Sequence, residues 1–202
     1  WYTEETVKTV WHVLEQWLMP LVLNQSFNHP NECDHMMSAI KGNRMAKAAI
    51  NHALWDIYSK KLNEPLWKLI GGVRSEVDAG VVISKDNFKD LLEAVEMANS
   101  DGYKRVKVKI SSKTNPSELK EVIRRFPNLQ FFADANGSFT NETVHKLQLF
   151  DGIGLTLIEQ PFGEENNLLS GQVQATMKTP FALDESICSY SDAKQMNEEQ
   201  SG

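Results

Sequence analysis

Arg105-Val106-Lys107-Val108-Lys109-Ile110 is the stretch that decides how this chain is read. Period-two alternation puts Val106, Val108 and Ile110 on one face of a strand and Lys107 and Lys109 on the other. A strand at the protein surface would show the same pattern, so the neighbours must decide. Helical stretches are predicted on both sides, over residues 88–98 and 116–126, and a face covered by helices has to be apolar. The lysines are thereby sent to the opposite side, into a barrel interior, where an ammonium group needs a reason to be.

Working outward, Lys109 is the first of a regular series. Asp134, Glu159 and Asp184 follow it at steps of 25 residues, and each closes a short apolar run. Strands are predicted over residues 79–83, 105–110, 129–134, 154–159 and 181–184, and further helices over 142–150, 167–177 and 191–198. Strands alternating with helices mean parallel βαβ units, so the fold class is α/β with a parallel (β/α) barrel. Such barrels carry their chemistry at the C-terminal ends of the strands. Counting by twos, Asp134 shares a face with Phe132, Glu159 with Leu157 and Asp184 with Ala182, so the four charged groups are expected at one interior mouth. One more step of 25 falls near position 209, past Gly202.

Ahead of Gly71-Gly72 the rhythm is helical. A helix is predicted over residues 3–19, with Val7, Val10, Trp11, Leu14 and Leu18 at helical spacing and Pro20 ending it. A second is predicted over residues 43–61, its stripe formed by Ala46, Ala49, Ile50, Ala53 and Ile57, and a short one over 66–70. Two domains are therefore expected, residues 1–72 and 73–202. The opening Trp1-Tyr2-Thr3-Glu4-Glu5 reads as the interior of a longer chain, and a larger protein containing this segment is the expectation.

Composition narrows the function. The 202 residues are 41% hydrophobic with a formal charge of −6, and no basic run is interleaved with aromatics, which argues against nucleic acid or an anionic membrane as partner. Cys33 and Cys188 are far apart and the five histidines are scattered, so neither a disulfide framework nor a zinc site is indicated; a reducing cytoplasm and a small-molecule partner fit. Cys188 is expected to be a buried structural thiol, with a place near the charged residues at the end of the fifth predicted strand as the alternative.

Asp, Glu and Asp without His or Cys form a hard oxygen donor set, suited to Mg²⁺ or Mn²⁺. Two ammonium groups two residues apart on one face repel, which is expected to lower the pKa of Lys109 and free an amine as a base. A base beside a cation that can hold a carboxylate is a device for removing the proton α to that carboxylate. Each residue also has a plainer reading: Lys-Val-Lys as a solvated strand face, Asp134 and Asp184 as helix N-caps. Four such groups at equal spacing make the catalytic reading the stronger.

The set Lys107-Val108-Lys109, Asp134-Ala135-Asn136, Ile158-Glu159-Gln160-Pro161 and Leu183-Asp184-Glu185-Ser186 resembles the enolase superfamily, in its muconate-lactonising subgroup. The segments 1–6, 42–49 and 53–56 are similar to the o-succinylbenzoate synthase and N-succinylamino acid racemase branch. The resemblance implies a (β/α)7β barrel, of which five strands are present here, preceded by the helical part of an α+β capping domain. It implies Mg²⁺ on Asp134, Glu159 and Asp184, Lys109 as acid/base and Lys107 as its electrostatic helper. Asn136 and Glu185 fall in the same segments as supporting groups. The expected activity is a syn dehydration in menaquinone biosynthesis, with N-acylamino acid racemisation or muconate-type cycloisomerisation as alternatives, and a catalytically silent relative as a further one. It also implies a homo-oligomer and a second lysine on a sixth strand; Lys194 cannot be that lysine, because it falls in the helix predicted after the fifth.

Overall fold

The computed structural model describes residues 3–200, and the side chains of residues 3–196. The chain forms two compact units that divide between Ser75 and Glu76, just past the Gly71-Gly72 break.

The first unit is helical: α1 (Val7–Val13), α2 (Met19–Val22), α3 (Asn31–Met37), α4 (Arg44–Leu62) and α5 (Leu66–Leu69). Thr6 caps α1 by accepting from the Thr9 N–H, and Thr9 returns a bond to the Thr6 N–H. Pro20 does not end this helix, contrary to the sequence expectation. It has no N–H to give and its ring crowds the carbonyl four residues back; the chain widens into a π turn over Leu14–Leu18 and resumes as α2. Helix α4 begins after Asn43, whose side chain does not cap it, and the Glu5 carboxylate does so from 40 residues upstream by accepting from the Met45 N–H at 2.6 Å and the Ala46 N–H at 3.1 Å.

The buried stripe of α4 is also corrected. Ala46 lies in the unit's core with Val13, Leu18, Cys33 and Met37, and Ile50 and Leu54 pack against it, whereas Ala49, Ala53 and Ile57 are exposed. Two lines of residues at four-residue spacing run side by side along this helix, and the pattern alone does not separate them. Helix α3, absent from the sequence reading, supplies the buried Cys33 and Met37. Gly72 closes α5 by donating to the Trp67 carbonyl at 2.7 Å, so close that a Cβ there would stand 2.6 Å from that oxygen.

The second unit alternates strand and helix: β1 (Gly80–Ile83), α6 (Phe88–Ser100), β2 (Arg105–Lys109), α7 (Pro116–Arg125), β3 (Gln130–Asp134), α8 (Val144–Leu147), β4 (Leu157–Glu159), α9 (Asn167–Gln174), β5 (Phe181–Ala182) and α10 (Tyr190–Gln200). All five strands are parallel and pair in chain order. The long helix predicted over 142–150 is instead α8 flanked by two 3₁₀ turns. Asn87 and Asn115 cap α6 and α7 by accepting from the Asp90 and Ser117 N–H groups. As the alternation predicts, Val106, Val108 and Ile110 are buried, in one core with Leu91 and Val95 of α6 and Leu119 and Val122 of α7. No helix among the described residues is long and apolar enough to cross a membrane.

Candidate active site

Register brings the charged residues to one level. Lys109 pairs with Asp134, and Asp134 with Glu159, across β2, β3 and β4; Lys107 pairs with Phe132 one pleat below. Because these strands are parallel and the side chains alternate, the four charged groups share the face opposite the helix-packed core.

On that face the charges are paired. Lys109 Nζ donates to Asp134 Oδ2 at 2.7 Å and to Asn136 Oδ1. Lys107 Nζ donates to Glu159 Oε1 at 2.7 Å and stands 3.6 Å from Asp134 Oδ2. Asp134 is only 2% exposed, so its charge is held in a poorly solvated place that demands a partner. Its Oδ1 accepts from the Asn136 N–H at 3.1 Å, and Asn136 Nδ2 donates to Glu185 Oε1 at 2.9 Å, so Asn136 links the lysine to the loop after β5. To do this Asn136 takes a left-handed backbone, φ 42°, which asparagine tolerates better than most residues. Asp134 caps no helix.

The expected mutual repulsion of the two ammonium groups is met by carboxylates, one close to each. For Lys107, partial burial pulls the amine down, but the hydrogen bond to Glu159 and the charges of Glu159 and Asp134 outweigh it and hold the group above its ordinary value. Lys107 is therefore a fixed positive charge at neutral pH. A cavity of about 350 Å³ opens between the loops after β1 and β2, where Lys109 meets Phe88, Leu91, Ile110 and Leu119 of the helix-packed side; Lys107, Asp134, Glu159 and Asp184 do not border it.

Asp184 stands apart. Strand β5 ends at Ala182, which pairs with Glu159, so Asp184 lies two residues beyond the level of the other carboxylates. It is exposed, and its carboxylate is outside the lysine network; among the described residues no three His, Cys, Asp or Glu side chains come together closely enough to hold a metal ion. The equal step of 25 in sequence thus does not mean equal height in the sheet. Asp134 and Glu159 nonetheless already share one cation, the Lys107 ammonium, and every acidic donor here is oxygen. That donor chemistry fits a hard divalent ion.

Two residues escaped the sequence reading as functional candidates. Gln160, 1% exposed, is enclosed directly after Glu159, and Ser186 bonds to it at 2.7 Å. Their only signal in the sequence is position, one beside each of two acidic candidates. Cys188 is exposed rather than buried, with Sγ 3.2 Å from the Glu185 carbonyl.

Comparison with known proteins adds ancestry to this geometry. Residues 2–71 match the mandelate racemase / muconate lactonizing enzyme N-terminal domain, and residues 90–201 match the enolase C-terminal domain-like family. The chain is 42% identical over 196 residues to an o-succinylbenzoate synthase of Geobacillus kaustophilus, covering 96% of this chain and 52% of that protein. It is 34% identical over 195 residues to an N-succinylamino acid racemase of Thermus thermophilus, covering 96% of this chain and 53% of that one. A crystal structure of an enolase superfamily member from Listeria innocua superposes with a TM-score of 0.93 at 35% identity, over 99% of this chain and 54% of that chain. The chain spans about half the length of the curated relatives it matches.

Proposed function

This chain belongs to the enolase superfamily, in the mandelate racemase / muconate lactonizing group, and from that premise we propose that the protein it forms part of is an o-succinylbenzoate synthase-type lyase that removes the proton α to a carboxylate. The observation that carries the reading is the lysine and carboxylate network on one face of β2, β3 and β4. Lys109, as the free amine, is the group that takes the α proton at Nζ, and Asp134 and Asn136 aim it. Lys107 stays charged and offsets the negative charge that gathers on Asp134, Glu159 and the substrate carboxylate.

Asp134, Glu159 and Asp184 would hold a Mg²⁺ ion. When bound, the ion supplies charge that offsets the second negative charge a carboxylate gains as its α proton leaves. In dehydration Lys109, once protonated, delivers its proton to the departing hydroxyl, so one side chain serves both halves of the reaction. A racemase uses the same first step, and the racemase relative at 34% identity favours it as the second reading.

The test is a pair of assays on the full-length protein with and without Mg²⁺: dehydration of 2-succinyl-6-hydroxy-2,4-cyclohexadiene-1-carboxylate, and interconversion of N-succinylamino acid enantiomers. Mg²⁺-dependent dehydration is expected. Full turnover in the presence of excess chelator would contradict the mechanism, and racemisation without dehydration would select the second reading.

A further inference from the structure

Gln160 sits where the loops after β3, β4 and β5 meet. It is 1% exposed and follows Glu159 directly. Its carboxamide has two donor hydrogens and two acceptor sites, and all are used. Nε2 donates to the Phe162 carbonyl at 2.8 Å and to Ser186 Oγ at 2.7 Å. Oε1 accepts from the Asp184 N–H at 2.9 Å and from the Ser186 N–H at 3.3 Å. Its main chain is tied as well, donating to the Ala182 carbonyl and accepting from the Gly137 N–H, both at 2.7 Å.

The backbone at Gln160 is left-handed, φ 39°. The other non-glycine residues of positive φ among those described are asparagines, for which that region is less costly. A strained conformation is kept only where the surroundings hold it, and here it lets the residue after Glu159 turn inward toward the β5 loop. Gly137, on the far side, has φ 69° and approaches so closely that a Cβ would stand 3.1 Å from Gly163 Cα. The three loops are thus drawn together around one side chain.

Asp184 lies past the last ladder pair of β5, and its own side chain is outside the lysine network. We infer that Gln160 is a positioning residue: its carboxamide fixes the backbone of Asp184 and Ser186, and through it the place from which the Asp184 carboxylate meets a divalent ion. An ionised glutamate would leave the Phe162 carbonyl without a donor and would bury a charge beside Glu159. Asparagine is one methylene too short to reach both loops. The inference rests on the metal-site reading of Asp184.

The test uses the full-length protein without metal, then with Mg²⁺ alone. Gln160→Met keeps the volume and removes the bonds. Amide exchange at residues 184 and 186 is expected to speed up about tenfold or more while β3 amides keep their protection, and Mg²⁺ affinity measured by calorimetry is expected to fall by ~10- to 100-fold. In an Asp184→Asn background the same change is expected to add no further loss of affinity. Unchanged exchange at 184 and 186 in Gln160→Met overturns the inference. Unchanged Mg²⁺ affinity in Asp184→Asn overturns instead the metal reading on which it rests. If Gln160→Met does not fold, exchange in the unmodified protein decides: protection at 184 and 186 matching the Gln160 amide supports the clamp, and open-loop rates there refute it.

Discussion

At the scale of single residues, the network gives two chemically identical side chains different neighbours. Lys107 is held charged by Glu159 and Asp134, and Lys109 is aimed by Asp134 and Asn136. Replacing Lys109 by Ala is expected to lower dehydration by about 10²- to 10⁴-fold, the usual worth of a positioned acid or base, with substrate binding measured by calorimetry nearly unchanged. Removing the aim rather than the base has a smaller cost: Asn136→Ala is expected to lower kcat by roughly tenfold to a hundredfold with KM within a few-fold, and steady-state kinetics separate the two. Glu159→Gln keeps size and shape but halves the carboxylate charge that Lys107 and an ion share. Circular dichroism is expected to show an intact fold, while Mg²⁺ titration shows affinity lost along with metal-dependent turnover.

At the scale of elements, the same period that reveals the barrel misleads at its last strand. Residues 105–109 alternate cleanly, and the register of β2, β3 and β4 puts Lys109, Asp134 and Glu159 on one level, as the sequence spacing implies. Strand β5 is two residues long, and the loop that carries Asp184 and Glu185 is held by side-chain bonds rather than by the ladder. No hydrophobic pattern encodes such bonds, which is why the place of Asp184 and the role of Gln160 were not legible in the sequence. The π turn before Pro20 is similar, because a proline marks a lost donor without saying whether the chain stops or widens. Entry to β5 depends on a further such tie. Asp151 accepts from the Lys178 and Thr179 N–H groups and from Thr179 Oγ1, and these bonds hold its carboxyl below its ordinary 3.8. A depressed folded pKa stabilises above the unfolded value and is lost as pH falls through the folded one. Asp151→Asn is therefore expected to cost about 1 kcal/mol at pH 7, given partial exposure, and chemical denaturation at a series of pH values should show the difference from the unmodified protein shrinking below about pH 4.

At the scale of the molecule, five parallel strands in chain order leave β1 and β5 as the outer strands of the sheet, and Val82 on β1 is 57% exposed. A polypeptide of residues 1–202 made alone is expected to self-associate through those edges, and light scattering that shows a stable monomer at micromolar concentration would refute this. The chemistry proposed for the whole protein is abstraction of a carboxylate α proton by Lys109, and the most direct view of it is dehydration of 2-succinyl-6-hydroxy-2,4-cyclohexadiene-1-carboxylate, followed in the full-length protein with Mg²⁺ and in Lys109→Ala. Mg²⁺-dependent turnover is predicted in the unmodified protein, with a loss of about 10²- to 10⁴-fold in the variant. Turnover at the unmodified rate after Lys109 is removed would contradict the proposal.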